Sequence, residues 1–169
     1  VAMKVMLGGD AGTESRFLAE AQATAQLEHP NICPVYDLGV DAAGKVFFTM
    51  KLVRGRTLKD VIRAGDASLT RRVQILEQVA MGADFAHSRR VVHRDLKPAN
   101  VMVGDYGEIL VVDWGLAKVG AAARPGDPAR EDPAGGKVST DRSAHGELTL
   151  EGGVQGSVAY MAPEQARGE

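Results

Sequence analysis

The chain has 169 residues, enough for one domain with a hydrophobic core or for part of a larger one. Its 20 Lys and Arg against 22 Asp and Glu give a formal net charge of -2, which argues against a nucleic-acid or membrane surface recognised through bulk charge. A single cysteine, Cys33, excludes an internal disulfide and a cysteine-based metal cluster, so we expect a small buried side chain and a reducing, cytoplasmic setting.

The two ends of the chain indicate that it is a fragment. Val1 already begins a strand-like run, and the last residues end without a closing element. No apolar run approaches the ~18 residues that a membrane span needs, although the parent protein can carry an anchor elsewhere. We therefore expect neither a membrane segment nor a nucleic-acid partner for this part of the protein.

The first residues predict a strand followed by a helix. Residues 1–7 are apolar and partly β-branched, and the run ends at Gly8 and Gly9. Strong helix formers then fill residues 14–27. Thr13 or Ser15 is available as the N-cap, so we expect the helix to begin there.

One charged residue falls on the apolar side of this helix. Glu20 lies within the stripe that should face the core, and an unpaired carboxylate there would cost roughly 3–5 kcal/mol. Lys4, on the adjacent strand, is the nearest cation in sequence. Taken alone it would be a solvated strand lysine, but the helix favours a Lys4–Glu20 ion pair. The stripe consists of Phe17, Ala21, Thr24 and Leu27.

The middle of the chain changes from strands to helices. Residues 35–38 and 45–50 are strand-like and are joined by a glycine-containing turn, which predicts a β-hairpin. Residues 57–64 and 70–88 are helical in pattern. We therefore expect two lobes, the first rich in strands and the second helical, with a hinge near residues 51–55.

The longer helix carries apolar residues on more than one stripe, so we expect it to be largely buried. These residues are Val73, Ile75, Leu76, Val79, Ala80, Ala83, Phe85 and Ala86.

Residues 93–100 place several polar groups between two short apolar runs. Within eight residues they offer the Asp95 carboxylate, the Lys97 ammonium, the Asn100 amide and the Arg94 guanidinium, whose natural partner is an anion. Such a density of polar groups between two strands indicates a functional site.

A second hairpin should bring two oxygen ligands together. Residues 101–103 and 109–112 flank a turn, and antiparallel pairing places Asn100 and Asp113 at the same open end. Either residue alone could be a turn former that caps the hairpin. Together, next to Asp95 and Lys97, an amide oxygen and a carboxylate are suitable ligands for Mg²⁺.

Four motifs in order resemble those of the eukaryotic-like (Hanks-type) serine/threonine protein kinases, bacterial type. Val1-Ala2-Met3-Lys4 resembles V-A-I-K, residues 93–100 resemble H-R-D-L-x-x-x-N, Asp113-Trp114-Gly115 resembles D-F-G, and Ala162-Pro163-Glu164 is A-P-E. The resemblance implies an α+β, protein-kinase-like two-lobed fold, truncated at both ends. Residues 1–50 would be a partial N-lobe and 56–169 a partial C-lobe.

The resemblance also implies roles for individual residues. Lys4, positioned by Glu20, would hold the phosphates of ATP. Asp95 would accept or orient the proton of the substrate hydroxyl, while Asn100 and Asp113 would hold Mg²⁺. His93 and Trp114, which replaces the usual phenylalanine, would pack between the lobes.

Two further groups follow from the same resemblance. Lys97 is typical of serine/threonine kinases and would stabilise charge on the transferred phosphoryl group, and Ser157 would keep a hydroxyl that bridges Asp95 and Lys97. The adenine site would be formed by Ala2, Met50, Met102 and the backbone of residues 51–53, Lys51 and Val53 included.

The stretch between Asp113 and Glu164 is long for an ordered loop. Half of residues 120–147 are Gly, Ala or Pro, which predicts a disordered insertion in the activation segment. We hypothesise that Thr149 or a near neighbour is autophosphorylated and then pairs with Arg94. An unregulated linker is the alternative, and finding no phosphate there by mass spectrometry of the active full-length enzyme would exclude the hypothesis. The hydroxyls nearby are Ser139, Thr140 and Ser143.

The function that the resemblance implies is ATP-dependent, Mg²⁺-requiring phosphoryl transfer to serine and threonine hydroxyls of protein substrates. A pseudokinase-type scaffold is the alternative, but Lys4, Asp95, Asn100 and Asp113, whose loss usually marks one, are all present. A small-molecule phosphotransferase fits less well because Lys97 and residues 156–164 resemble apparatus for a polypeptide substrate. Without the glycine-rich loop that should precede Lys4 and the helices that should follow Glu169, we expect the segment alone neither to fold stably nor to be active.

Overall fold

The computed structural model describes residues 1–8, 11–115, 117–119 and 157–167. The predicted insertion at 120–147 and the hypothetical phosphorylation site at Thr149 lie outside the described residues and stay predictions. In the ranges that are described, no helix combines the length and the apolar content needed to cross a bilayer.

The first sheet has three antiparallel strands in the order β1-β3-β2. They are β1 (Ala2–Val5), β2 (Val35–Val40) and β3 (Val46–Met50), and β2 and β3 form the predicted hairpin. Its turn is closed by Asp41, whose Oδ1 accepts hydrogen bonds from the backbone N–H groups of Ala43 and Lys45, both at 2.8 Å.

Helix α1 (Ala11–Ala25) packs against this sheet through Phe17 and Ala21, whereas Leu27, beyond the end of the helix, belongs to the other core. The Phe17 and Phe48 rings lie 5.1 Å apart between their centroids. The prediction that Thr13 or Ser15 caps the helix is wrong, because the helix begins at Ala11. An N-cap preference is worth only about 1 kcal/mol, so it does not fix the start when the preceding residues can also take helical geometry.

The second unit contains two helices and another three-stranded sheet. The helices are α2 (Leu58–Ala64) and α3 (Leu69–Ser88). Their N-caps are Thr57 and Ser68, whose side chains accept hydrogen bonds from the N–H groups of Asp60 and Arg71. The sheet has the order β4-β6-β7, formed by β4 (Gly55–Thr57), β6 (Val101–Gly104) and β7 (Ile109–Val111). The predicted second hairpin is therefore present.

Only one side of α3 is buried. Ile75, Val79 and Ala86 face the core, whereas Val73 and Leu76 are 55% and 61% exposed. The prediction that this helix is largely buried is wrong for the described part of the chain. The helix packs on β5 (Val91–Val92) and β7 along a single face, which leaves Val73 and Leu76 exposed.

The structure adds two features that the patterns did not predict. Strand β5 pairs antiparallel with β8 (Lys118–Val119), so the chain enters and leaves the polar cluster through neighbouring strands. After the gap, residues 157–167 contain a 3-10 turn (Val158–Tyr160) and the four-residue helix α4 (Pro163–Ala166). This segment contacts residues 93–100 through Ser157 and Gln165.

Two hydrophobic cores result, one around the first sheet and one around α2, α3 and the second sheet. The fold is α+β and two-lobed, as expected, and residues 51–54 run between β3 and β4. The larger core includes Leu27, Ile32, Leu58, Ile75, Val91, Ile109, Val111 and Trp114.

Candidate active site

Lys4 holds two carboxylates. Its Nζ lies 2.7 Å from Glu20 Oε1 and 2.9 Å from Glu20 Oε2, so the predicted ion pair is confirmed. The same nitrogen donates to Asp113 Oδ1 at 3.2 Å. This second contact was not predicted, and it joins β1 to the end of the second hairpin.

The environment shifts the pKa of both members of the pair. Burial alone would lower the pKa of Lys4, but the charge and hydrogen bonds of Glu20, and then of Asp113, outweigh it and raise that pKa. Burial raises the pKa of Glu20, and the Lys4 ammonium offsets part of this effect. Lys4 Nζ donates to both oxygens of Glu20, as expected for a pair formed by an ammonium and a carboxylate. This double contact holds the lysine side chain in place.

The Asp95 carboxylate is held at both oxygens. Lys97 Nζ donates to Oδ2 at 2.6 Å, and the backbone N–H of Ser157 donates to Oδ1 at 2.8 Å. Asn100 Nδ2 donates to the Asp95 carbonyl at 2.9 Å and reaches Oδ2 at 3.2 Å. Lys97 Nζ also donates to Ser157 Oγ at 2.7 Å, so the Ser157 hydroxyl lies next to the pair as expected.

These contacts keep Asp95 ionised. Burial would raise its pKa, but the hydrogen bonds from Lys97 and Ser157, together with the Lys97 charge, lower that pKa below the ordinary range. An ionised carboxylate can only accept hydrogen bonds. Asp95 is therefore suited to accept and orient a hydroxyl proton.

Asn100 and Asp113 both lie at the open end of the second hairpin. Val101 lies opposite Val111, and the Val112 N–H donates to the Asn100 carbonyl at 2.9 Å. Among the described residues, every side-chain hydrogen bond of Asn100 uses Nδ2, so Oδ1 is available as a ligand. The Asp113 carboxylate uses Oδ1 for Lys4 and leaves Oδ2 available in the same ranges. Such oxygens fit a hard divalent cation that takes further oxygens from phosphates.

The His93 ring lies next to the polar cluster and contacts the backbone of Asp95 and Val112. His93 is buried, and its ring packs on Trp114 with 4.6 Å between centroids. Its Nε2 lies 3.1 Å from the Val112 carbonyl, and Nδ1 accepts the Asp95 N–H at 3.3 Å, which requires the neutral tautomer protonated on Nε2. Burial lowers the pKa of His93, although the Val112 carbonyl and the charges of Asp113 and Asp95 oppose it.

The candidate adenine-binding residues lie around the connection between the two sheets. Ala2 is paired with Met50 across β1 and β3, and Met102 lies in β6. The Lys51 N–H is already used, because it donates to the Pro34 carbonyl at 3.1 Å. The backbone of Val53 makes no hydrogen bond within the described ranges, so its groups are available to a ligand.

Sequence reasoning missed Gln165. Its Nε2 donates to the Arg94 carbonyl at 2.6 Å, which ties α4 to the polar cluster. The only sequence signal is its position directly after Ala162-Pro163-Glu164, and nothing in that position indicates a backbone acceptor as partner.

The two-lobed fold that carries the Lys4–Glu20 pair and the polar cluster is that of the protein kinases, and the chain belongs to the protein kinase domain family, whose match covers residues 1–169. It is 37% identical to the serine/threonine-protein kinase PknD of Protochlamydia amoebophila, over 92% of this chain and 16% of that protein. A probable serine/threonine-protein kinase PknB of Bifidobacterium longum is 34% identical over 100% of this chain and 23% of its own length. PknD of Chlamydia trachomatis is 32% identical over 96% of this chain and 18% of its own. The chain thus spans less than a quarter of the length of these relatives.

Proposed function

We propose that the full-length protein transfers the γ-phosphoryl group of ATP to serine and threonine hydroxyls of protein substrates. The observation that carries this proposal is the arrangement at Asp95, whose two carboxylate oxygens are held by Lys97 and by the Ser157 N–H. Phosphoryl transfer depends on positioning and charge stabilisation more than on covalent catalysis. This cluster supplies both.

Asp95 and Lys97 would divide the work at the reacting oxygens. Asp95 would accept the hydrogen bond of the substrate hydroxyl and take up its proton as the new O–P bond forms and the bond from the γ-phosphorus to the departing ADP oxygen breaks. Lys97, 2.6 Å from Asp95, would place a positive charge beside the phosphoryl group as negative charge spreads over its oxygens. Ser157 Oγ would hold Lys97 in this position.

Nucleotide binding would involve both lobes. Lys4, fixed by Glu20, would contact the ATP phosphates. Residues 51–55 would act as the hinge between the lobe formed by residues 1–50 and the lobe formed by residues 56–169. Adenine would lie among apolar side chains and hydrogen bond to the hinge backbone. The Val53 backbone groups are available there, whereas the Lys51 carbonyl already accepts a weak hydrogen bond from Cys33 Sγ at 3.7 Å. The apolar side chains would be those of Ala2, Met50 and Met102.

We propose Mg²⁺ as the divalent cation, held by Asn100 Oδ1 and Asp113 Oδ2. When bound, the ion would neutralise charge on the ATP phosphates. Asp113→Asn in the full-length protein should raise the Mg²⁺ concentration needed for half-maximal activity, while Asp105→Asn, at the exposed turn end of the same hairpin, should not. An unchanged Mg²⁺ dependence in Asp113→Asn would remove this carboxylate from the metal site.

The main experiment measures phosphate transfer from labelled ATP to a generic basic protein. We expect the full-length protein to be active, Asp95→Asn to lose most of the activity, and Asp84→Asn, at an exposed aspartate of α3, to keep it. Equal incorporation by the wild type and Asp95→Asn would remove Asp95 from the mechanism. Nucleotide binding without any transfer by the wild type would indicate a pseudokinase-type scaffold instead.

A further inference from the structure

The peptide group between Arg94 and Asp95 is held from both sides. Its carbonyl oxygen, on Arg94, accepts a hydrogen bond from Gln165 Nε2 at 2.6 Å. Its N–H, on Asp95, donates to His93 Nδ1 at 3.3 Å. A carbonyl oxygen can only accept, so the amide nitrogen of Gln165 must point at it. These two bonds fix the plane of the peptide that carries Asp95.

This peptide follows a residue in an unfavourable conformation. Arg94 has a φ of 63°, in the left-handed region that L-residues other than Asn and Asp seldom adopt. Such conformations persist only when the surrounding contacts determine them. A relaxation at Arg94 would rotate the following peptide and move the Asp95 side chain. The contact from Gln165 opposes that rotation directly.

Gln165 belongs to the same segment as Ser157. Two residues of the segment 157–167 therefore bind residues 93–100: Ser157 binds the side chains of Asp95 and Lys97, and Gln165 binds the backbone one residue before Asp95. One contact determines where the carboxylate oxygens lie, and the other determines how the backbone presents them. The two contacts are independent of the nucleotide-binding residues on the first sheet.

We propose that Gln165 is a positioning residue for Asp95, acting through the Arg94–Asp95 peptide. This rests on the proposed function only for its effect on turnover, because the geometry it predicts exists without any reaction. Loss of the amide donor should release the peptide, loosen Asp95 and slow phosphoryl transfer. ATP binding should not change, because Lys4, Glu20 and the hinge make no use of Gln165.

The test uses the full-length protein with Gln165→Met, which keeps the length of the side chain but has no donor, and Gln165→Glu, which keeps its shape and offers only acceptors. Gln74→Glu, at an exposed glutamine of α3, is the control. We expect both Gln165 variants to lower kcat by about three- to tenfold, the range that losing one neutral hydrogen bond gives, with an unchanged KM for ATP and an unchanged unfolding temperature.

The second readout is hydrogen exchange at the Asp95 amide, measured by NMR. Exchange should be several-fold faster in both Gln165 variants and unchanged in Gln74→Glu. If the Asp95 amide exchanges at an unchanged rate in a folded Gln165 variant, the proposal is overturned whatever happens to kcat. A rise in the KM for ATP together with a lower unfolding temperature also overturns it. If one variant fails to fold, the other decides. If the wild type transfers no phosphate, the proposed function fails while the exchange rates still decide the role of Gln165.

Discussion

Lys4 Nζ and Asp113 Oδ1 lie 3.2 Å apart although 109 residues separate them in the chain. The lysine is on the first sheet, and the aspartate follows the last strand of the second. The same ammonium also binds Glu20 on α1. One cation therefore connects the helix of the first lobe to the candidate metal site of the second.

Replacing Glu20 by glutamine should weaken ATP binding. The variant keeps the shape but removes the charge that holds Lys4, so the lysine would be drawn to Asp113 alone. We expect the KM for ATP to rise about tenfold, equivalent to about 1.4 kcal/mol, with a smaller effect on kcat. Steady-state kinetics of the full-length protein would measure it.

Glu14→Gln, at an exposed glutamate of the same helix, is the control for that experiment. A rise in KM of the same size in both variants would mean that the effect comes from the helix charge and not from the contact with Lys4.

Removing the Ser157 hydroxyl should lower kcat. Ser157→Ala loses the bond from Lys97 Nζ to Oγ but keeps the backbone N–H that binds Asp95. A hydrogen bond to a charged group contributes about 1.5–3 kcal/mol, so we expect roughly a tenfold loss or more. Ser157→Thr keeps a hydroxyl and should retain most of the activity. Equal losses in the two variants would show that the hydroxyl is not what matters.

Gly55→Ala should destabilise the domain strongly. Gly55 has a φ of 148°, and an added Cβ would overlap the Val103 carbonyl oxygen and lie 2.7 Å from Gly104 Cα. Gly65→Ala, at a glycine with a φ of 67° and open space around it, should cost only about 1–2 kcal/mol of conformational strain. The unfolding temperature of the kinase domain in the full-length protein should fall clearly further for Gly55→Ala. A smaller fall than in Gly65→Ala would contradict the close contact between β4 and β6.

Stability should decrease as the pH falls below about 6.5, in part because of His93. Burial lowers its folded-state pKa below the ordinary 6.5, so the unfolded chain takes up the proton first and acidification favours unfolding in that window. His93→Gln should therefore give a shallower dependence of the unfolding free energy on pH between about 6.5 and 5, with His87→Gln as the control. In His93→Gln, part of the dependence of the unfolding free energy on pH would remain, because burial also lowers the pKa of His29.

Asp95 contributes in a separate and more acidic window. Its pKa lies below the ordinary 3.8, so the stability it provides is complete above that value and is lost as the pH falls through the folded pKa.

The His93 prediction has its own contradicting outcome. If the unfolding free energy depends on pH with the same slope above pH 5 in the wild type and in His93→Gln, His93 does not carry the effect.

Local periodicity and hairpin topology were sufficient to predict the central pairs of the site. The Lys4–Glu20 contact followed from a carboxylate on the apolar face of a helix, and the placement of Asn100 and Asp113 at the same end of the second hairpin followed from antiparallel pairing. Both arguments use neighbours along a single element or a short hairpin. The fold class followed from the same patterns together with the family resemblance.

The features that were missed depend on contacts between distant segments. Periodicity shows that α3 has several apolar stripes but not which of them another element covers, so Leu76 was wrongly expected to be buried. The pairing of β5 with β8 involves strands of two residues, too short to show a pattern. The bond from Gln165 ends on a backbone carbonyl, and every residue has one, so no side chain marks its position.

The second hairpin is attached at both ends. At its turn, the Asp105 N–H donates to the Arg54 carbonyl at 2.9 Å and the Glu108 carboxylate lies 4.0 Å from Lys51 Nζ, while its open end carries Asn100 and Asp113. Strand β6 has four residues, which at about 3.3 Å per residue span about 13 Å. The hairpin thus fixes the separation between residues 51–54 and the open end that carries Asn100 and Asp113.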